Sequence, residues 1–290
     1  QQLIVDLPDL NARQTQLLPL YTSLFSELGV GAQDYRAIQQ RQSAVSGGLR
    51  MSLSGRTTLA DKQSAQAHLV INGKALAHHQ GAFQQLLKDT FFELRFDESA
   101  RVRDLVAQMK TRWEGSITGQ GHALAMATAA RGCSALAAFQ QRHSGLVGIR
   151  FFKQLHEQQS QAGATDALLA ELAGIHALVL QSPRQLLLIS EAEALAAVQA
   201  EVASLWADAP LAANSQSMIW TPAEGRVQEA WLTQTQVQFC AKVYPAVSAG
   251  HADAPALMAL GSFLRNGFLH RAIREQGGAY GGGAAYDGNA

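Results

Sequence analysis

A helical pattern stops abruptly near the end of the chain. The run 269–276 reads LHRAIREQ, and Gly277 and Gly278 follow it directly. Glycine just past a helix end adopts a positive φ without steric cost, so the pair predicts a chain reversal. The reversal brings Arg274, in the last helical turn, close to Tyr280, just past the glycines. A guanidinium and a phenol beside glycine backbone could hold a peptide carbonyl or a carboxylate.

The same residues also have a purely structural interpretation. Arg274 could simply complement the dipole at the helix end. The glycines that follow could belong to a strand packed closely against a neighbour, with bulges and added twist. Residue types alone leave both interpretations open.

Two stretches of the sequence resemble the pitrilysin/insulinase-type zinc metallopeptidases. The string LHRAIREQGGAYGGGAAYDGN is similar to the C-terminal signature of that family, most of all in its presequence protease branch. The stretch LLPLYTSLFSELGVGAQDYRAIQQRQSAVSGGLRMSLSGR resembles the helix, DYR turn and GG strand that open the third homologous domain of that branch. The resemblance implies that the chain is a fragment, comprising most of the C-terminal half of such a peptidase.

The resemblance also implies roles for residues near the C-terminus. Arg274 and Tyr280 would be catalytic, reaching across to the zinc site and stabilising oxygen charge as it develops, as a preorganised donor pair does. Four glycines would admit the substrate backbone: Gly277, Gly278, Gly281 and Gly282.

Metal ligands are not expected within this chain. A zinc peptidase needs ligands that leave one coordination position open and a carboxylate that activates water. The family provides them from an inverted HxxEH helix and a distal Glu, and this motif is absent. The histidines do not replace it, since His78 and His79 are adjacent and should diverge on a helix. The resemblance therefore implies that zinc is the cofactor of the full-length enzyme, and we expect its ligands to lie outside this chain.

Composition excludes several other classes of function. Lys plus Arg and Asp plus Glu both number 23, so net charge favours neither nucleic acid nor a membrane as partner. No apolar stretch reaches about 18 residues, so no transmembrane helix is expected. Cys133 and Cys240 lack metal-site spacing and are expected to be free thiols. The opening QQLIVDLPDLN shows no targeting pattern, so we expect a cytoplasmic location, with any targeting segment outside this chain.

The predicted fold class is α+β. The resemblance implies two homologous domains of the mitochondrial-processing-peptidase-like type, each a largely antiparallel sheet covered by helices, the second truncated. Residues 1–210 are predicted to be the third, non-catalytic homologous domain with its peptidase-associated region. Residues 211–290 are predicted to be the first part of a fourth domain that carries the Arg/Tyr motif. The boundary is placed in the polar stretch 208–217.

Hydrophobic periodicity places the elements within these domains. In the first domain it predicts strands at 3–7, 49–58, 64–75 and 184–190, the last a core strand, and helices over 14–28, 35–46, 79–93, 97–117, 122–140, 151–159, 164–173 and 191–207. In the second it predicts strands at 218–220, 227–235, 237–243 and 279–286, a turn at 222–225 and a long helix over 254–275.

Two functions fit these patterns. The first is the C-terminal half of a zinc-dependent oligopeptidase that encloses and degrades unstructured peptides together with its N-terminal catalytic half. The alternative is a non-catalytic scaffold or partner-binding member of the same fold. Arg274 and Tyr280 favour the first, because a scaffold does not need the pair.

Overall fold

The computed structural model describes residues 1–210, 218–220 and 225–289. The chain divides into two compact units. The first comprises Gln1–Gly55, Ala67–Gln120 and Arg142–Ile219, and the second Arg56–Gln66, Gly121–Gln141 and Trp220–Ala290. The structure combines helices with an antiparallel sheet, as the α+β prediction requires. The assignment to a third and a fourth homologous domain stays a prediction, and residues 211–217 of the predicted boundary lie outside the described residues.

The sheet has four strands in the order β2-β3-β1-β4. They are β1 (Gln2–Asp6), β2 (Leu49–Thr57), β3 (Ala65–Gly73) and β4 (Arg184–Leu187). Strand β1 runs antiparallel to both of its neighbours, with Gln2 opposite Asn72 on β3 and Leu187 on β4. Leu3 and Val5 are fully buried, and their neighbours along the strand are less so, which is the period-two pattern of a strand with one face on the core.

Strand β4 differs from the predicted core strand. It lies at the edge of the sheet, where β1 is its only described neighbour, and it ends at Leu187. Ile189, in the same apolar run, is 78% exposed. An apolar run of this length identifies a strand but does not reveal whether a second neighbour pairs with it, so the prediction of a core position was wrong.

The helices follow one another as α1 (Ala12–Leu24), α2 (Tyr35–Val45), a 3₁₀ turn (Ala77–His79), α3 (Gln80–Phe92), α4 (Ser99–Gly119), α5 (Gly121–Ala130), α6 (Ala135–His143), α7 (Leu146–Gln158), α8 (Ala164–Gln181), α9 (Ala192–Trp206), α10 (Ala254–Leu264) and a π-helical segment (Arg265–Gln276). Side-chain caps are present at the starts of α1 and α2. Asn11 and Gln14 form a reciprocal capping box on α1, and the Asp34 carboxylate accepts the Ala37 N–H on α2.

The DYR turn is fixed by a single carboxylate. Glu98 accepts the backbone N–H of Gly29 at 2.7 Å and that of Tyr35 at 3.0 Å. The Arg101 guanidinium lies 4.6 Å from the centre of the Tyr35 ring. One loop donor and the first backbone N–H of α2, which has no partner within the helix, are thereby satisfied, and the start of α2 is tied to the start of α4.

A polar pair lies inside the apolar core of the first unit. The Tyr21 hydroxyl of α1 and Nδ1 of His176 on α8 share a hydrogen bond of 2.9 Å, and both side chains are buried. The Phe96 ring lies 5.4 Å from the imidazole, centre to centre. Burial lowers the pKa of His176 to about 4 and raises the pKa of Tyr21 above its usual range. The imidazole is therefore neutral at physiological pH.

Helix α8 is longer and more apolar than its sequence pattern indicated. By length and composition it could cross a membrane, although the sequence led us to expect no such segment, and core helices of soluble proteins pass the same test. Here Leu168, Leu172 and Ile175 are buried, and α8 packs against α1 and α4. These contacts are those of a core helix.

In the second unit, the predicted helix over 122–140 is broken into α5 and α6. A side chain at Gly132 would collide with the Gly225 carbonyl oxygen, so the two backbones approach closely there. Ser134 then starts α6, because its hydroxyl accepts the Ala137 N–H. The glycine and the capping serine interrupt an alanine-rich run that helix propensity alone would continue.

The predicted strands of the second domain do not form in the described residues. Residues 218–220, 227–235 and 237–243 make no ladder, and the Thr235 hydroxyl donates locally to the Val237 carbonyl. Residues 218–219 belong to the first unit, where the Met218 N–H donates to the Leu7 carbonyl at 3.2 Å without forming a ladder. A strand exists only where a neighbouring strand satisfies its backbone, and the described part of the second unit provides none for 227–235 and 237–243. The predicted turn at 222–225 lies outside the described residues except for Gly225.

A helix is present where one was predicted over 254–275, but it is not α-helical throughout. It is α-helical through Leu264 and π-helical from Arg265 to Gln276. The segment 279–286, predicted as a strand, is instead irregular and follows the helix back, with the Ala285 Cα 3.2 Å from the point where a Gly261 Cβ would lie. Gly261 allows this approach because it has no side chain.

Candidate functional site

The predicted chain reversal is present. Gly278 has φ +69°, a conformation that favours glycine. The Ala279 N–H donates to the Ile273 carbonyl at 3.1 Å, which closes the turn. A Cβ at Gly277 would lie 2.7 Å from the same carbonyl oxygen. The two glycines are therefore required by the turn itself.

The reversal brings Arg274 and Tyr280 together. The Arg274 guanidinium carbon lies 5.9 Å from the centre of the Tyr280 ring, within the range of a cation–π contact. Arg274 is exposed, and Tyr280 is 92% exposed. The nearby carboxylate Glu275 lies 3.3 Å from His270, and no carboxylate among residues 225–289 lies within ion-pair distance of Arg274. The pair thus presents a guanidinium fork and a phenol hydroxyl to the exterior of its unit.

The four glycines predicted to admit substrate serve different purposes. Gly277 and Gly278 make the turn, and Gly282 packs against Ile273, whose Cδ1 would lie 2.7 Å from an added Cβ. At Gly281 an added Cβ would meet nothing within 4 Å, and its φ lies outside the left-handed region. Only Gly281, of these four, has no structural reason within the chain to be glycine.

Sequence reasoning missed Ile273. Its carbonyl closes the turn and its side chain supports the glycine-rich segment. In the sequence, Ile273 is an apolar residue in a helical pattern, directly before Arg274. Such a pattern indicates that the side chain packs against something, but it does not identify the segment that it packs against. The contact with Gly282 depends on the path of the chain after the turn, and a pattern of residue types does not define that path.

The described residues do not fit a metal site. Within the ranges that the structure describes, no group of three or more His, Cys, Asp or Glu side chains could hold a metal ion. Helix α1 has no histidine. His78 and His79 do not diverge as expected, since their rings lie 4.2 Å apart in the 3₁₀ turn, where side chains are spaced differently from those of an α-helix. No third ligand joins them.

The comparisons with known proteins define first a class and then a family. The class is that of the zinc metallopeptidases. The family model described as "Peptidase M-16C associated" matches residues 1–155, and the chain belongs to this family, in the presequence protease branch of the pitrilysin/insulinase-type peptidases. The family resemblance predicted from the sequence is thereby confirmed.

Curated relatives are similar along nearly the whole chain. The mitochondrial presequence protease of Danio rerio is 28% identical over 93% of this chain and 28% of its own length. The mitochondrial presequence protease of Yarrowia lipolytica is 26% identical over 93% of this chain and 27% of its own length. Presequence protease 1 of Arabidopsis thaliana, chloroplastic/mitochondrial, is 21% identical over 99% and 26%. The chain spans little more than a quarter of the length of these relatives.

These relatives contradict the expected cytoplasmic location. They are named as mitochondrial or chloroplastic/mitochondrial proteins, so the expectation from the opening residues was wrong. Targeting information is carried by separate segments, so the sequence patterns of a folded region do not reveal the compartment. Among solved structures, the periplasmic protease PqqL from Escherichia coli aligns with TM-score 0.39 and 13% identity, over 78% of this chain and 22% of that one. This overlap is too low to define a shared fold.

Proposed function

We propose that this chain is the substrate-binding, C-terminal part of a zinc-dependent oligopeptidase that encloses and degrades unstructured peptides. The zinc ion and the carboxylate that activates water belong to an N-terminal catalytic half, which is the chain's partner. The observation that carries the proposal is the exposed Arg274–Tyr280 pair, with 5.9 Å between the guanidinium carbon and the ring centre. The family supports a peptidase.

The chemistry of the pair suits peptide hydrolysis. As water attacks a peptide carbonyl, negative charge develops on its oxygen, and donors fixed in advance stabilise that charge most effectively. Arg274 offers a planar two-donor fork and Tyr280 a hydroxyl. Gly281, open to the exterior, lets an extended peptide backbone approach beside them.

Two substitutions in the full-length peptidase test this role. Tyr280→Phe removes one donor and should lower kcat by about 10- to 1,000-fold, the range for losing one oxyanion-type donor. Arg274→Lys should lower kcat as well, because an ammonium cannot reproduce the planar fork. Melting temperature should hardly change in either variant, since both side chains are exposed.

The chain offers a matched control. Tyr244 is 68% exposed and lies under the Lys242 ammonium at 4.8 Å, a cation–π pair of the same kind away from the reversal. Tyr244→Phe should therefore leave kcat unchanged. Normal turnover in Tyr280→Phe would refute the catalytic role of the pair and favour the scaffold alternative.

A further inference from the structure

Ile273 contacts the glycine-rich segment through both its backbone and its side chain. Its carbonyl accepts the Ala279 N–H at 3.1 Å. Its Cδ1, Cγ2 and Cβ lie 2.7, 3.0 and 3.2 Å from the point where a Gly282 Cβ would be. The isoleucine side chain therefore rests directly on the Gly282 backbone, in space that only a glycine leaves free.

These two contacts bracket the proposed functional pair. Ile273 precedes Arg274 on the helix, and its contacts at Ala279 and Gly282 lie on either side of Tyr280. A β-branched side chain has little freedom at χ1 in a helix, so it is a stiff support. Tyr280 itself is 92% exposed, so its ring is only weakly held by packing.

We propose that Ile273 is a positioning residue that sets the separation of Arg274 and Tyr280 by holding the Gly282 backbone against the helix. The inference rests on the proposed function for its catalytic consequence, but the positioning can be measured in this chain alone. Ile273 acts through the pair and does not itself contact substrate. A misplacement of about 1 Å can cost about 100-fold in rate, so a loose segment should reduce turnover although both functional side chains remain.

The test is a pair of substitutions that compensate in size. Ile273→Ala removes the support, and Gly282→Ala places a methyl group against the isoleucine. Each alone should lower kcat of the full-length peptidase by about 10-fold or more. The double variant removes the two closest contacts of the new methyl group, with Cδ1 and Cγ2, and leaves only the Cβ of position 273 at 3.2 Å. We therefore expect kcat to recover by at least about 3-fold over either single variant, a non-additivity typical of residues in contact.

The control is Gly267→Ala, in the same π-helical segment, where an added Cβ meets nothing within 4 Å. It should leave kcat unchanged. Melting temperatures of all variants should stay within a few degrees of the parent, because Ile273 is only half-buried.

Nuclear magnetic resonance on the 290-residue chain gives the second measurement. Cross-relaxation between the Arg274 side chain and the Tyr280 ring should be present in the parent, absent in Ile273→Ala and restored in the double variant. A contact that persists in Ile273→Ala overturns the inference, whatever the activity of Tyr280→Phe. Additive losses of kcat in the double variant, while Tyr280→Phe is impaired, overturn it as well. Normal kcat in Tyr280→Phe refutes the proposed function instead, and the resonance result then still decides whether Ile273 positions the pair.

Discussion

Protonation of His176 should destabilise the first unit as the pH falls below neutrality. In the folded chain, burial lowers the pKa of His176 to about 4, against an ordinary value near 6.5. Between these two pH values the unfolded chain binds more protons than the folded chain. The stabilisation is therefore complete above about pH 6.5 and is lost progressively as the pH falls towards 4. The difference in pKa corresponds to about 3 kcal/mol of unfolding free energy.

The structure gives the physical reason for this cost. The groups that face the imidazole are the Tyr21 hydroxyl at Nδ1 and the Phe96 ring, and neither provides a negative charge. Within the described chain, Nε2 is buried without a hydrogen-bond partner. A protonated imidazole donates from both nitrogens, and although the Tyr21 hydroxyl oxygen can accept at Nδ1, the buried Nε2 has no acceptor for its N–H. Adding a charge there is costly in an apolar core.

Urea unfolding at a series of pH values between about 4 and 7.5, followed by tryptophan fluorescence, measures the effect. His176→Gln removes the titrating group, so the parent should lose about 3 kcal/mol relative to this variant across the window. His78→Gln, at an exposed position, is the matched control and should change with pH as the parent does. A constant difference between parent and His176→Gln at all pH values would refute the reasoning.

Two further outcomes are expected. Gly73→Ala should cost about 1–3 kcal/mol of unfolding free energy, because its Cβ would lie 2.2 Å from Cζ of the buried Phe83; Gly115→Ala, in α4 with nothing within 4 Å, should instead stabilise by about 0.5–1 kcal/mol. Equal effects in urea unfolding would contradict the packing at Gly73. The chain on its own should neither hold zinc stoichiometrically nor cleave peptides, since its described residues include no set of metal ligands. One tightly bound zinc per chain in elemental analysis would disprove that expectation.

Local signals predicted much of the first unit. The helical pattern over 35–46 corresponds to α2, and the alternating patterns over 49–58 and 64–75 correspond to the neighbouring strands β2 and β3. These features depend on residues close together in sequence. The edge position of β4 and the break at Gly132 depend on distant backbone, which a local pattern does not record.

The candidate site was predictable only in part. The reversal at Gly277 and Gly278 follows from backbone sterics, and the proximity of Arg274 and Tyr280 follows from the reversal. The role of Ile273 was not predictable, because it depends on how the irregular segment returns along the helix. The prediction of strands over 227–243 was wrong for a similar reason. An alternating pattern shows which side chains would share one face of a strand, but it does not show whether a neighbouring strand is present to pair with it.

The place of β1 in the sheet bears on the order in which the chain folds. The hairpin of β2 and β3 can form early, because a short loop joins its strands. Strand β1, one of the two inner strands, must pair Gln2 with Asn72 on one side and with Leu187 on the other. The side of β1 that pairs with β4 therefore stays unpaired until α8 has folded and β4, which follows α8 in the chain, has reached the sheet. Contacts so far apart in sequence form slowly, and during that interval the apolar edge of β1 is available to other chains. The residues of β1 are thus where we expect misfolding and chaperone capture to begin.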